Sequence, residues 1–91
     1  MRNFEYFKKC KEDNTPVKVT FVQIDKEHQQ YVAYEGNLRI ALSLSEVFGV
    51  SEDALEEIWK TSRIGQALGQ ETEVFIKEAD KETGMITCSR Q

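Results

Sequence analysis

The chain has 91 residues, with 12 Lys and Arg against 16 Asp and Glu, for a formal net charge of −4. That length accommodates one domain and excludes two. A hydrophobic fraction of 40% is too high for an intrinsically disordered chain, and no apolar run reaches membrane-spanning length. A domain of this size buries only about 60–65% of its unfolded surface, which leaves one modest core and little support for a deep catalytic cleft. The acidic balance argues against tight, non-specific binding to duplex DNA, which needs a basic footprint.

The start, Met1-Arg2-Asn3-Phe4-Glu5, lacks the apolar stretch of a signal peptide, so a cytoplasmic location is expected; the initial methionine favours a whole small protein over a fragment of a longer chain, between which the last residues do not choose. Cys10 and Cys88 form no CxxC or Cys/His ligand set, so neither zinc nor a redox couple is indicated, and no cofactor is expected. A disulfide between them would require a secreted setting; in the cytoplasm both stay reduced, with Cys88 at a core strand position.

Taken in order, Phe4, Phe7 and Cys10 recur at spacing three with Lys8, Lys9 and Lys11 elsewhere, which predicts a short amphipathic helix over 4–11. Asp13-Asn14-Thr15-Pro16 stops it. Residues 17–24 are β-branched and alternate over their first five positions, predicting a strand, with a turn at Asp25-Lys26-Glu27-His28. Second and third strands follow at 30–34 and 38–42, separated by the turn Glu35-Gly36-Asn37. Ser51 is a capping residue with Glu52 and Asp53 in the first turn behind it, and Ala54, Leu55, Ile58 and Trp59 form one stripe, so a helix is expected over 51–59. Gly65 and Gly69 bracket a loop. A fourth strand at 72–79, the turn Asp80–Gly84 and a fifth strand at 85–90 complete the chain.

Five strands with one helix between the third and fourth, preceded by an N-terminal helix, predict an all-β, five-stranded OB-fold barrel. The expected organisation is one domain over 1–91, with a lead-in helix within 1–12 and the barrel over 16–90. Val74 and Ile76 are expected on one face and Ile86 and Cys88 on the matching face of the partner strand.

Three stretches resemble the S-one domain, the OB-type RNA-binding repeat of the largest bacterial small-subunit ribosomal protein, which also occurs in RNA-processing and translation proteins. Residues 68–90, LGQETEVFIKEADKETGMITCSR, are similar to a V-G-Q-x-V-x-V-K-V strand followed by D-x-E-x-G-R-I-x-L-S. Residues 36–47, GNLRIALSLSEV, are similar to a G-G-x-R-G-F-x-P-x-S-Q-x segment. The opening FEYFKKCKEDN, with Pro16-Val17 after it, is similar to the helical lead-in of such repeats.

The resemblance implies single-stranded RNA binding, with aromatic residues near the second and third strands stacking bases and basic residues attracting phosphates. The matching positions are His28 and Tyr31, with Arg39 at the family's arginine and Tyr34, Lys18 and Lys26 as helpers. The chain departs from the pattern at Ala41 and Ser43, where an aromatic or histidine is expected, and at Met85, where an arginine is common. Strict alternation sends Tyr31 and Tyr34 to opposite faces, so one of them belongs to the core. His28, in its polar turn, is otherwise accounted for as a solvated side chain, and Arg39 can instead pair with Glu35 or a neighbouring acid.

No nucleophile and base constellation is present, so no enzyme activity is expected. A rival reading is a protein-docking module acting on the ribosome or an RNA-processing enzyme through the acidic helix residues Glu52, Asp53, Glu56, Glu57 and Trp59. The bland alternatives are a solvated acidic face and a helix stripe that covers the barrel. Residues 1–45 hold seven basic and six acidic side chains, and residues 46–82 hold four and ten. The acidity is therefore concentrated away from the first three strands, and RNA binding there is expected to be weak and salt-sensitive.

Overall fold

The protein is described here from a computed structural model covering residues 2–90. It begins with helix α1 (Phe4–Asp13), two residues longer than the spacing predicts. Asn3 caps it, its side chain accepting from the Tyr6 N–H, and Asn14 ends it in the left-handed conformation at φ 53°. Asn tolerates that conformation better than most residues, and Pro16 beyond it prevents further helix. Phe7 and Cys10 are buried beneath the helix, with Phe4 partly buried beside them.

Next come β1 (Val17–Thr20), β2 (Gln23–Asp25), β3 (Gln30–Glu35) and β4 (Leu38–Ser43). Three short helices follow, α2 (Leu44–Phe48), α3 (Glu52–Trp59) and α4 (Arg63–Gln66), and the chain closes with β5 (Glu71–Asp80) and β6 (Met85–Ser89). Sheet thus dominates, curled and barrel-like, with the strand order β1-β5-β6-β4-β3-β2. All neighbours pair antiparallel except β4 and β6, which run parallel.

Six strands stand where five are expected, because the segment over 17–24 breaks at Phe21-Val22. Val17–Thr20 pair with Val74–Glu71, while Gln23–Asp25 pair with Val32–Gln30. The break is stitched on both sides: Gly69 N–H donates to Phe21 O, and Val22 N–H donates to Val32 O. One continuous segment therefore supplies both edges of the sheet, which curls to meet them.

The connection over 44–66 also differs from expectation, holding three helices rather than one. The one over Glu52–Trp59 lies where the serine cap and apolar stripe place it, with Ser51 accepting from Ala54 N–H. Leu55 is fully buried, Ile58 and Trp59 are partly buried, and Ala54 is exposed. The other two, five and four residues long, are too short to leave a periodic signature.

A continuous core fills the sheet's inner face: Val17, Val19, Tyr31, Ala33, Ile40, Leu42, Val74, Ile76, Ile86 and Cys88, joined by Phe7, Leu44, Leu55 and Ile64 from the helices. Each such aliphatic or aromatic side chain contributes about 1.5–3 kcal/mol on burial. A bulge between Ile76 and Glu78 shifts the register against β6, so Ala79 returns to the inner face. The β5–β6 turn depends on Gly84: its φ is 72°, and a Cβ there would lie 2.9 Å from Asn37 O. Asp80 Oδ1 accepts from the Glu82 and Thr83 N–H groups of the same turn. Both cysteines are free and buried, and burial together with the Glu46 carboxylate pushes the Cys88 thiol up to about 12.

Candidate functional site

Strand parity divides β3, β4 and β6 into an inner and an outer face. The outer face carries Val32 and Tyr34 on β3, Arg39, Ala41 and Ser43 on β4, and Met85 and Thr87 on β6. Register aligns them in rows, Tyr34 opposite Arg39 opposite Met85, and Val32 opposite Ala41 opposite Thr87. Tyr34 is 56% exposed and Met85 is also exposed, so the first row presents an aromatic ring and a thioether on either side of the Arg39 backbone.

Arg39 does not point freely into solvent. Its Nη2 donates to Asp25 Oδ2 at 2.7 Å and its Nη1 to Gln30 Oε1 at 3.3 Å. Gln30 pairs with Ser43, two rows away, so the Arg39 side chain runs along the face past Ala41 and Val32. Both of those small residues are buried outside the main core, as expected beneath an arginine stem. Asp25 anchors the far end: His28 Nδ1 lies 2.8 Å from its Oδ2, and the His28 N–H donates to its Oδ1. The His28 ring first, then its backbone N–H, and least the Arg39 charge hold the Asp25 carboxyl below its ordinary value. Arg39 thus pairs with Asp25, while Glu35 pairs instead with Arg2 at 2.8 Å.

Tyr34 also borders a cavity of about 440 Å³ together with Arg2 and Lys18, at the gap between β1 and β3. Arg2 bridges that gap, donating from Nη1 to Lys18 O and from Nε to the Glu35 carboxylate. Arg2 was not legible as part of this surface, because nothing in its terminal position signals the contact. Lys18 is exposed, its ammonium 3.9 Å from Glu71.

Tyr31 corrects the expectation that its ring serves the surface. It is 2% exposed, packs 6.0 Å from the Phe21 ring centroid and donates its hydroxyl to Ile64 O at 2.7 Å. Burial also raises its phenol above the ordinary value. The parity argument holds that one of the two tyrosines is internal, and Tyr31 is that one. Lys26 likewise lies apart from the Tyr34 row, its ammonium 5.5 Å from the centroid of the Trp59 ring. The structure therefore gathers Tyr34, Arg39, Lys18 and, through Asp25, His28; it withdraws Tyr31 and sends Lys26 to the helical side.

The acidic side chains Glu52, Asp53, Glu56 and Glu57 are all exposed on α3, next to the partly buried Trp59. Among the described residues, no group of three or more His, Cys, Asp or Glu side chains could hold a metal ion, and no helix is long and apolar enough to cross a membrane. No family model matches the chain, and no curated protein sequence matches it either.

Proposed function

We propose that this chain is an OB-fold domain of the S-one type that binds single-stranded RNA in the cytoplasm, in translation or RNA metabolism, without catalysing a reaction. The OB reading is supported by topology. Counted as one bent strand, residues 17–25 border both the second and the fourth of five strands, with the third and fifth parallel. The observation that carries the functional reading is the exposed Tyr34 ring beside Arg39 and Lys18. A ring of this kind stacks on any base, while Lys18 attracts the backbone, and the Arg39 guanidinium, held by Asp25 two rows along, lies with His28 at the polar end of the track. Relative to the sequence expectation, the stacking residue becomes Tyr34 in place of Tyr31.

The test is a titration with fluorescently labelled single-stranded RNA at low salt. Tyr34→Ala combined with Arg39→Ala weakens binding at least about tenfold, the loss expected for one base stack with its phosphate contact. Wild-type affinity in the double variant would refute the site.

A second reading, docking on a ribosomal or RNA-processing protein, is supported by the four exposed carboxylates of α3, which lie off the Tyr34 row.

A further inference from the structure

A cavity of about 650 Å³ opens between the β2–β3 turn and α3, lined by Lys26, Gln29, Glu52, Asp53, Glu56 and Trp59 among others. Its chemistry is that of a cation receptor. The Trp59 ring supplies an electron-rich face, and the Lys26 ammonium already sits 5.5 Å from its centroid. Glu52, Asp53 and Glu56 line the same cavity, as does Lys60, whose ammonium is paired with Glu57 at 3.3 Å. Gln29, held with φ at 53°, adds a side-chain oxygen that is buried without a hydrogen-bond partner, an acceptor lacking a donor.

We propose that this cavity docks an arginine side chain from a basic peptide segment of a partner protein, and that Lys26 covers the Trp59 ring while the partner is absent. The inference deepens the protein-docking reading and is independent of the Tyr34 face. Charge complementarity selects the occupant: the lining sets Glu52, Asp53 and Glu56 against Lys26 and a Lys60 already paired with Glu57, a negative balance that repels a nucleic-acid backbone and attracts a basic segment. Arginine suits the site better than lysine because a planar guanidinium stacks on the indole while its N–H groups reach carboxylates at the rim. Lys26 is a weak internal competitor: it is exposed, lies on a turn and makes no ion pair among those found for the described residues.

Trp59 is the only tryptophan in the chain, so its fluorescence reads the cavity directly. The probe is the blocked peptide acetyl-Gly-Arg-Gly-Arg-Gly-Arg-amide, titrated at low ionic strength. A saturable change in Trp59 emission is expected. Lys26→Ala tightens binding about two- to fivefold by removing the competitor, whereas Lys9→Ala, the same charge change on α1, leaves it unaltered. Glu56→Gln weakens the peptide by a similar factor and leaves RNA affinity at the wild-type value, which separates this site from the RNA face. The proposal is overturned if the emission change does not saturate, if Lys26→Ala and Lys9→Ala shift affinity equally, or if Glu56→Gln binds the peptide as wild type does.

Discussion

The two faces of β3 put the same residue type to opposite uses. Tyr31 and Tyr34 stand three positions apart on one strand, yet one ring is sealed beneath the helices with its hydroxyl bonded to Ile64 O, and the other is more than half exposed. Nothing intrinsic to tyrosine separates them. An odd spacing on a pleated strand sends neighbours to opposite faces, and which face becomes the core is decided by what covers it. Here α4 and Phe21 cover the face that holds Tyr31. On the other side, the small Val32 and Ala41 leave a low floor along which Arg39 lies.

The strongest way to break this contrast is to truncate each ring. Tyr31→Ala removes a buried aromatic and strands a carbonyl, so denaturant unfolding should show a loss of about 3–5 kcal/mol. Tyr31→Phe should lose only about 1 kcal/mol, since the ring stays and the hydroxyl alone is removed. Gly84→Ala comes next. A side chain at φ 72° and 2.9 Å from Asn37 O should lower stability by about 1–3 kcal/mol. The same change should disturb the outer row, because Gly84 O accepts the Arg39 N–H at 2.8 Å. RNA titration of that variant at a temperature where it remains folded shows whether the surface depends on the hairpin.

Tyr34→Ala should invert the pattern, with unfolding free energy within about 0.5 kcal/mol of wild type and RNA affinity reduced about tenfold. Equal stability losses for Tyr31→Ala and Tyr34→Ala would erase the distinction between the faces.

The smallest effect concerns pH. The Asp25 carboxyl is held below its ordinary value of 3.8, so what it contributes to stability is fully present above that pH. It is lost as pH falls through the lowered folded value. Comparing wild type with Asp25→Asn by thermal melts across the acid range should therefore show a difference at neutral pH that closes as pH drops.

Much of the scaffold could be read from residue order, for identifiable reasons. Ser51, its following acids and the Leu55–Ile58–Trp59 stripe mark one helix, and Asp80 with Gly84 marks the last hairpin, because caps and left-handed glycines are local signals. The alternation of Val74, Ile76, Ile86 and Cys88 gives their burial directly. What could not be read is set by tertiary partners. The break at Phe21-Val22 leaves the alternation of burial intact through Val22, so only the change of pairing partner reveals it. The choice between Tyr31 and Tyr34 was a matter of parity without a fixed origin. The engagement of Arg39 by Asp25 spans fourteen positions, and that of Lys26 by Trp59 joins a turn to a distant helix. Neither contact follows from spacing.

The two buried thiols make the protein its own clock. A thiol shut away from solvent reacts with an alkylating reagent only when the chain opens around it, and the Cys88 thiol is in addition pushed up to about 12. Cys10 lies on α1 and is buried against the core, so undocking that helix uncovers it, whereas Cys88 lies on β6 between β4 and β5 and waits for the sheet itself to part. Labelling followed by mass spectrometry should record two rates from one molecule, the faster for local breathing at the amino-terminal helix and the slower for global unfolding.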